Sequence, residues 1–181
     1  KLKGKRDNHL RAETLKARLC ANGTTQTEGM HYTYQYTPVL RYATKRLVLA
    51  LLSAYTVANK QFDILSAFLH ANLDEFIVMR LPNGDLVRLL KSLYGLKQSG
   101  SNWHLLHKDR LVKYGFRHLV LAECVYVLTL PNGVRVIVMV YVADILSFSY
   151  CPNGTTSNAE IYLLWTHYLR NCIQPSTLGT S

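Results

Sequence analysis

Two aspartates stand where a polypeptide can do chemistry on a metal ion. Asp63 lies in the string Gln61-Phe62-Asp63-Ile64, at the end of an apolar strand-like run. Asp144 lies at a turn between two strongly apolar runs, residues 134–142 and 145–149. A carboxylate at a strand end, beside an apolar wall, suits a hard divalent cation, which takes oxygen ligands. Taken singly, each aspartate also fits an ordinary turn residue.

The elements that must position them can be read from periodicity. Lys16-Ala17-Arg18-Leu19 reads as a short strand followed by an Asn22-Gly23 turn. Residues 44 to about 57 carry helical spacing, with Leu47, Leu51 and Ala54 on one face and Thr44 as the N-cap. Residues 62–69 read as a strand running into a turn or short helix, and residues 77–81 as a short strand before an Asn83-Gly84-Asp85 turn. A second helix is predicted from Ser101, as its cap, to about Tyr114, closed by Gly115. Residues 124–130 and 134–142 are rich in β-formers and flank Pro131-Asn132-Gly133, which predicts a β-hairpin. Ala143-Asp144 interrupts the second arm, and residues 145–149 continue as strand. The layout is α+β: two helices packed on one face of an antiparallel sheet. Residues 150–181 show only a weak helical pattern at 159–169.

Composition narrows the partner. The 181 residues are 49% hydrophobic, which excludes general disorder and allows one domain with a real core. Lys and Arg outnumber Asp and Glu by 21 to 11, a formal charge of +10 that suits a polyanion, nucleic acid first. Many basic proteins bind none, so charge alone does not decide. Cys20, Cys124, Cys151 and Cys172 lack zinc-site spacing and read as reduced, mostly buried thiols. No signal-peptide pattern opens the chain and no apolar run is long enough to span a bilayer, which predicts an intracellular protein without a membrane. The acceptor patterns at Asn22-Gly23-Thr24 and Asn153-Gly154-Thr155 therefore read as turns. The chain opens at Lys1 in mid-pattern, as a fragment would.

Five strings, in order, resemble the reverse transcriptase of copia-type LTR retrotransposons. Asp63-Ile64-Leu65-Ser66-Ala67-Phe68-Leu69 with the later Leu73-Asp74-Glu75 resembles its first catalytic block. Lys91-Ser92-Leu93-Tyr94-Gly95-Leu96-Lys97-Gln98 is the family's most distinctive string and stands intact. Tyr141-Val142-Ala143-Asp144 resembles the Tyr-Val-Asp-Asp box. Lys16-Ala17-Arg18-Leu19 and Thr37-Pro38-Val39 precede these in family order, and Trp103 and Gly115-Phe116 follow at family-like positions. The resemblance covers residues 1 to about 149 and leaves 150–181 as a divergent tail.

The resemblance implies a fingers-and-palm fragment of an RNA-directed DNA polymerase. Its partners would be deoxynucleotides and an RNA or DNA template-primer, with integrase and RNase H expected elsewhere in the polyprotein. Two Mg²⁺ ions about 3.5–4 Å apart would do the chemistry. By position, Asp63 would ligate both and the Ile64 carbonyl would meet the nucleotide-side ion. Lys16 and Arg18 would lie in the fingers, with Arg18 the better match for the triphosphate clamp or else a solvated edge charge. Phe68 matches the residue beneath the incoming sugar, whose ring excludes a 2′-OH; it also fits core packing. Gln98 matches the glutamine that touches the nucleotide, in a loop where Gly95 permits close backbone approach.

Departures from the family pattern matter as much. The box normally has two aspartates, the first the shared metal ligand, and that position here is Ala143. A methyl group cannot ligate Mg²⁺, and losing that carboxylate should cost several kcal/mol, roughly a thousandfold or more in rate. Asp144 remains, and the turn is expected to aim it elsewhere. Gly100-Ser101 replaces the usual Pro-Arg, and the stretch from Pro82 to Lys91 is short. Three readings follow: a polymerase by descent now disabled, a working one in which Asp144 or another carboxylate substitutes, or a non-catalytic basic remnant that binds nucleic acid.

Overall fold

The β-rich run after residue 121 folds back on itself twice, and the rest of a sheet forms around it. The computed structural model describes residues 2–6 and 12–152, with residues up to 16 by backbone alone. The Asn153-Gly154-Thr155 turn, the 159–169 helix and Cys172 lie outside the described residues. In chain order the elements are β1 (Leu2–Arg6), β2 (Ala12–Ala17), α1 (Tyr42–Leu52), β3 (Ala58–Asp63), β4 (Asn72–Arg80), β5 (Leu86–Lys91), α2 (Ser99–Lys113), β6 (Arg117–Leu119), β7 (Ala122–Thr129), β8 (Arg135–Tyr141) and β9 (Asp144–Tyr150). Short 3₁₀ turns occupy Gly23–Thr25 and Ala67–His70. Contacts divide the chain into two units, Lys1–Tyr36 with Phe68–Trp103, and Thr37–Ala67 with His104–Ser181.

The second unit holds a five-stranded antiparallel sheet in the order β3-β9-β8-β7-β6. The predicted hairpin is β7–β8, in register from Val125 opposite Met139 to Thr129 opposite Arg135. Gly133 takes φ 83° at its turn, its N–H donates to Leu130 O at 2.9 Å, and Asn132 Oδ1 accepts from Val134 N–H at 3.1 Å. Residue types and turn geometry agree here, as hairpin chemistry requires.

The predicted layout holds as α+β, with two corrections. The first concerns α1, which begins at Tyr42 with Arg41 as an N-cap that makes no side-chain bond, so Thr44 does not cap it. Its buried residues are Val48 and Leu52, while Leu47 and Leu51 are exposed. Residues 47–52 are all apolar, so no single stripe stands out, and packing chose the face one residue on. Second, the helices lie on opposite faces of the sheet. Val48 and Leu52 join a core with Val125, Met139, Phe148 and Tyr150. Helix α2 instead sets His107 edge-on to Tyr126, ring centroids 6.4 Å apart. Val125 and Tyr126 are neighbours on β7, and neighbours on a strand point to opposite faces.

Helix α2 starts two residues before Ser101, which is buried inside it. Its end matches expectation: Gly115 at φ 102° donates its N–H to Val112 O, and Phe116 N–H reaches Leu111 O, the paired bonds of a Schellman motif. The first unit carries the two-stranded sheets β1–β2 and β4–β5. Leu73, Ile77, Leu93 and Leu96 form its core with Ala21, Met79 and Leu89. Among the described cysteines Cys124 is buried and Cys20 exposed, which corrects the expectation of mostly buried thiols. No helix among the described residues is long and apolar enough to cross a membrane.

Candidate functional site

Strand register puts the two aspartates side by side. Asp63, last in β3, is the Cα partner of Asp144, first in β9, and Asp144 also pairs with Tyr141 at the end of β8. Directly opposed residues share a face, with Cβ atoms about 4.5–5.5 Å apart. The turn expected to aim Asp144 elsewhere thus sets its Cα opposite that of Asp63. Both are exposed, and neither makes an ion pair among the described residues. Like charges directly opposite one another destabilise a sheet, so the pairing breaks a local rule.

The loop between β8 and β9 is only Val142 and Ala143. Val142 takes φ 55°, a genuine outlier for a β-branched residue. Two-residue hairpin loops need a left-handed first residue, normally Gly, Asn or Asp; this turn achieves it with valine. Ala143 then accepts a hydrogen bond from Ile64 N–H through its carbonyl at 3.0 Å. That bond ties the end of β3 to the turn and brings positions 63, 143 and 144 together.

On the α1 side of the sheet a cavity of about 350 Å³ reaches this corner. Asp144, Tyr141, Gln61, Met139 and Leu146 line it from the strands, and Leu40, Tyr42 and Lys45 from α1 and the residues before it. A hard cation needs one or two carboxylates and keeps several waters, so Asp63 and Asp144 suit a single ion. A bridged pair of ions needs a further carboxylate. The described residues gather no cluster of three or more His, Cys, Asp or Glu side chains able to hold a metal, and the residue just before Asp144 is alanine, which offers no side-chain ligand.

The nucleotide-side candidates lie in the first unit. The Arg18 guanidinium sits 4.7 Å from the centroid of the Tyr94 ring. Phe68, half-buried, packs on the same Tyr94 ring, with ring centroids 4.8 Å apart. Tyr94 therefore joins two residues that sequence reasoning singled out separately, and that reasoning assigned it no role. Its signal was its place within the intact string. Lys16 lies on β2 opposite Lys3, placed by backbone alone.

Gln98 stands otherwise than a nucleotide contact would. It is 1% exposed, its Oε1 accepts from Gln26 Nε2 at 3.0 Å, and its Nε2 donates to His31 O at 2.9 Å. In this structure the amide is a strut between two protein segments. Gln26, a second residue missed from sequence, also accepts from Lys97 N–H at 2.8 Å. The close approach that Gly95 allows is likewise internal. Gly95 takes φ 97°, a Cβ on it would collide with the Ala21 carbonyl, and a Cβ on Gly23 would collide with the Gly95 carbonyl.

Comparison with known proteins identifies the family. The family model described as "Reverse transcriptase (RNA-dependent DNA polymerase)" matches residues 2–152. The "Retrovirus-related Pol polyprotein from transposon TNT 1-94" of Nicotiana tabacum is 30% identical over 150 residues, 78% of this chain and 11% of the relative. That "from transposon RE1" of Arabidopsis thaliana is 32% identical over 139 residues, 72% of this chain and 9% of the relative. The "Truncated transposon Ty1-A Gag-Pol polyprotein" of Saccharomyces cerevisiae is 37% identical over 150 residues, 78% of this chain and 12% of the relative. The chain thus spans about a tenth of the length of these curated relatives. No solved structure gives a significant match. A family match over nearly the whole described chain, with these relatives Pol or Gag-Pol polyproteins of transposons, makes this chain a member of the reverse transcriptase (RNA-dependent DNA polymerase) family.

Proposed function

We infer that residues 1–149 are the fingers and palm of a templated DNA polymerase whose chemical step is disabled at Ala143, with 150–181 a divergent tail. One observation carries this reading: Asp63 and Asp144 face each other across β3–β9 at a strained two-residue turn whose second residue is alanine. The fold sustains an unfavourable turn and an opposed carboxylate pair, which is the signature of a site rather than of packing. Arg18 is suited to a triphosphate and Phe68 to the sugar, with Tyr94 between them as the support that fixes both. Gln98 acts as a positioning residue that holds the loop after Tyr94. The donor set does not fit two bridged Mg²⁺ ions, so no reaction step is assigned to this chain as it stands.

A second reading is favoured by the charge of +10: a non-catalytic remnant that still binds template-primer. Primer extension separates the two once the carboxylate is restored. The test belongs in a chimera carrying the C-terminal part of an active relative. The Ala143→Asp chimera should extend a primer, and the unrepaired one should be slower by about a thousandfold or more. Adding Asp63→Asn should abolish the regained activity. If repaired and unrepaired chimeras differ by less than about tenfold, a gap of about 1.4 kcal/mol, Ala143 is not at a ligand position and Asp144 serves instead. If the repaired chimera binds primer–template but never extends it, the second reading stands.

A further inference from the structure

Residues 29–62 contain no Asp or Glu. The same stretch holds five of the chain's 12 tyrosines, Tyr32, Tyr34, Tyr36, Tyr42 and Tyr55, and the cations Arg41, Lys45, Arg46 and Lys60. In the first unit its opening part is built as a rigid root with an exposed end. His31 N–H donates to Thr27 O, Thr27 N–H to His31 Nδ1, and Gly29 N–H to Tyr32 O. Gln98 Nε2 donates to the His31 carbonyl. Tyr32 is buried, its hydroxyl accepts from Lys97 Nζ, and the same ammonium sits 4.9 Å from its ring centroid.

Beyond this root the chain leaves regular structure and carries Tyr34 and Tyr36 with 55% and 57% of their surface exposed. The two rings meet edge-on, centroids 6.3 Å apart and planes at 67°. Such a contact holds each ring in place without covering both its faces. Aromatic side chains are normally buried because their faces are apolar. Two adjacent exposed rings on a fixed root, in an acid-free stretch of a basic chain, are matched to a partner that is flat, apolar on its faces and negatively charged along its length. Unpaired nucleotides have all three properties: bases stack on tyrosine, and phosphates are attracted by a chain of formal charge +10. A protein partner would satisfy the rings, but nothing in its class requires the absence of carboxylates.

We propose that Tyr34 and Tyr36 form a stacking platform for the unpaired bases of a single-stranded template overhang. The proposal rests on the reading that this chain holds template-primer. Every base has a π-face, so the platform takes any sequence. Tyr34 and Tyr36 supply the stacking, and the Gln98 amide acts through the root as a positioning residue.

The test uses the full 181-residue chain and three labelled probes: a blunt duplex, the same duplex with a 5′ overhang, and the overhang strand alone. The overhang carries 2-aminopurine, whose fluorescence is quenched on stacking. The wild type should prefer the overhang duplex to the blunt one and quench the probe. Tyr34→Ala/Tyr36→Ala should weaken overhang binding by about tenfold, lose the quenching and leave blunt-duplex binding unchanged. Tyr34→Phe/Tyr36→Phe should retain both signals, since the ring and not the hydroxyl does the stacking. Equal loss on all three probes in the alanine variant, or quenching that survives it, overturns the platform alone. Wild-type chain that binds none of the probes overturns the template-primer reading as well.

Discussion

Strand β8 enters through one turn and leaves through another, and the two are built differently. At the entry, between β7 and β8, Gly133 supplies the left-handed residue and Asn132 bonds the backbone two residues on. A Cβ on Gly133 would meet nothing within 4 Å, so the need there is for a conformation and not for space. At the exit, Val142 is forced to φ 55°, and the residues that follow set Asp144 against Asp63. The same strand and the same core support both turns. The entry turn has the residues that hairpin geometry asks for. The exit turn has a residue that its geometry resists, the mark of a position where folding alone does not choose the side chain.

The comparison can be sharpened by loading both turns at once through the core beneath them. His107 contacts Tyr126, whose β8 partner is Val138. Burial first, then the neighbouring charges of His104 and Arg110, push the His107 imidazole down to about 3 from an ordinary value of 6.5. Between those values the unfolded chain binds a proton that the folded chain refuses. Stability is therefore fully present above pH 6.5 and falls as pH drops, by up to about 1.4 kcal/mol per pH unit. At pH 5 the loss should be about 2 kcal/mol, read as a fall in urea midpoint, and His107→Gln should flatten the slope. A slope that the variant leaves untouched would place the acid sensitivity elsewhere.

Reciprocal exchanges then break the symmetry of the two turns. Gly133→Val should destabilise the fold by about 1 kcal/mol, because valine resists the left-handed region. Val142→Gly should stabilise it by about 0.5 kcal/mol, the relief of strain offset by the extra freedom of glycine in the unfolded chain. Urea unfolding of both variants measures the pair. If the two substitutions shift stability in the same direction, the exit turn is not strained and the contrast fails.

How much of this was legible in the sequence follows the same division. The β7–β8 hairpin could be read because Asn132-Gly133 sits between two runs of β-formers, so local and tertiary demands agree. Gly115 likewise announced the end of α2. The buried face of α1 was not legible, since six successive apolar residues offer no unique stripe. Strands β1, β5 and β6 were missed: Leu2–Arg6 has one leucine among glycine and basic residues, Leu86–Lys91 has three leucines around an arginine, and Arg117–Leu119 is only three residues long. At the candidate site, Asp63, Ala143 and Asp144 stand out in the sequence, while the register that pairs the two aspartates does not, because pairing is a long-range property. The resemblance matches Gln98 to a nucleotide contact, and a sequence does not show that its amide is satisfied internally. Tyr94 was overlooked because its role lies in what it touches.

Strand β3 is an edge: among the described strands it pairs with β9 and with no other. On an edge strand, alternate amides point away from the sheet and exchange with solvent, whereas those of β9 are held from both sides. Opening β3 breaks one ladder and exposes little core, since none of its residues is buried. Such a segment detaches in local fluctuations that cost far less than global unfolding. Asp63 therefore sits, among the described strands, on one held by a single ladder, so the meeting of the two aspartates depends on that one ladder staying closed.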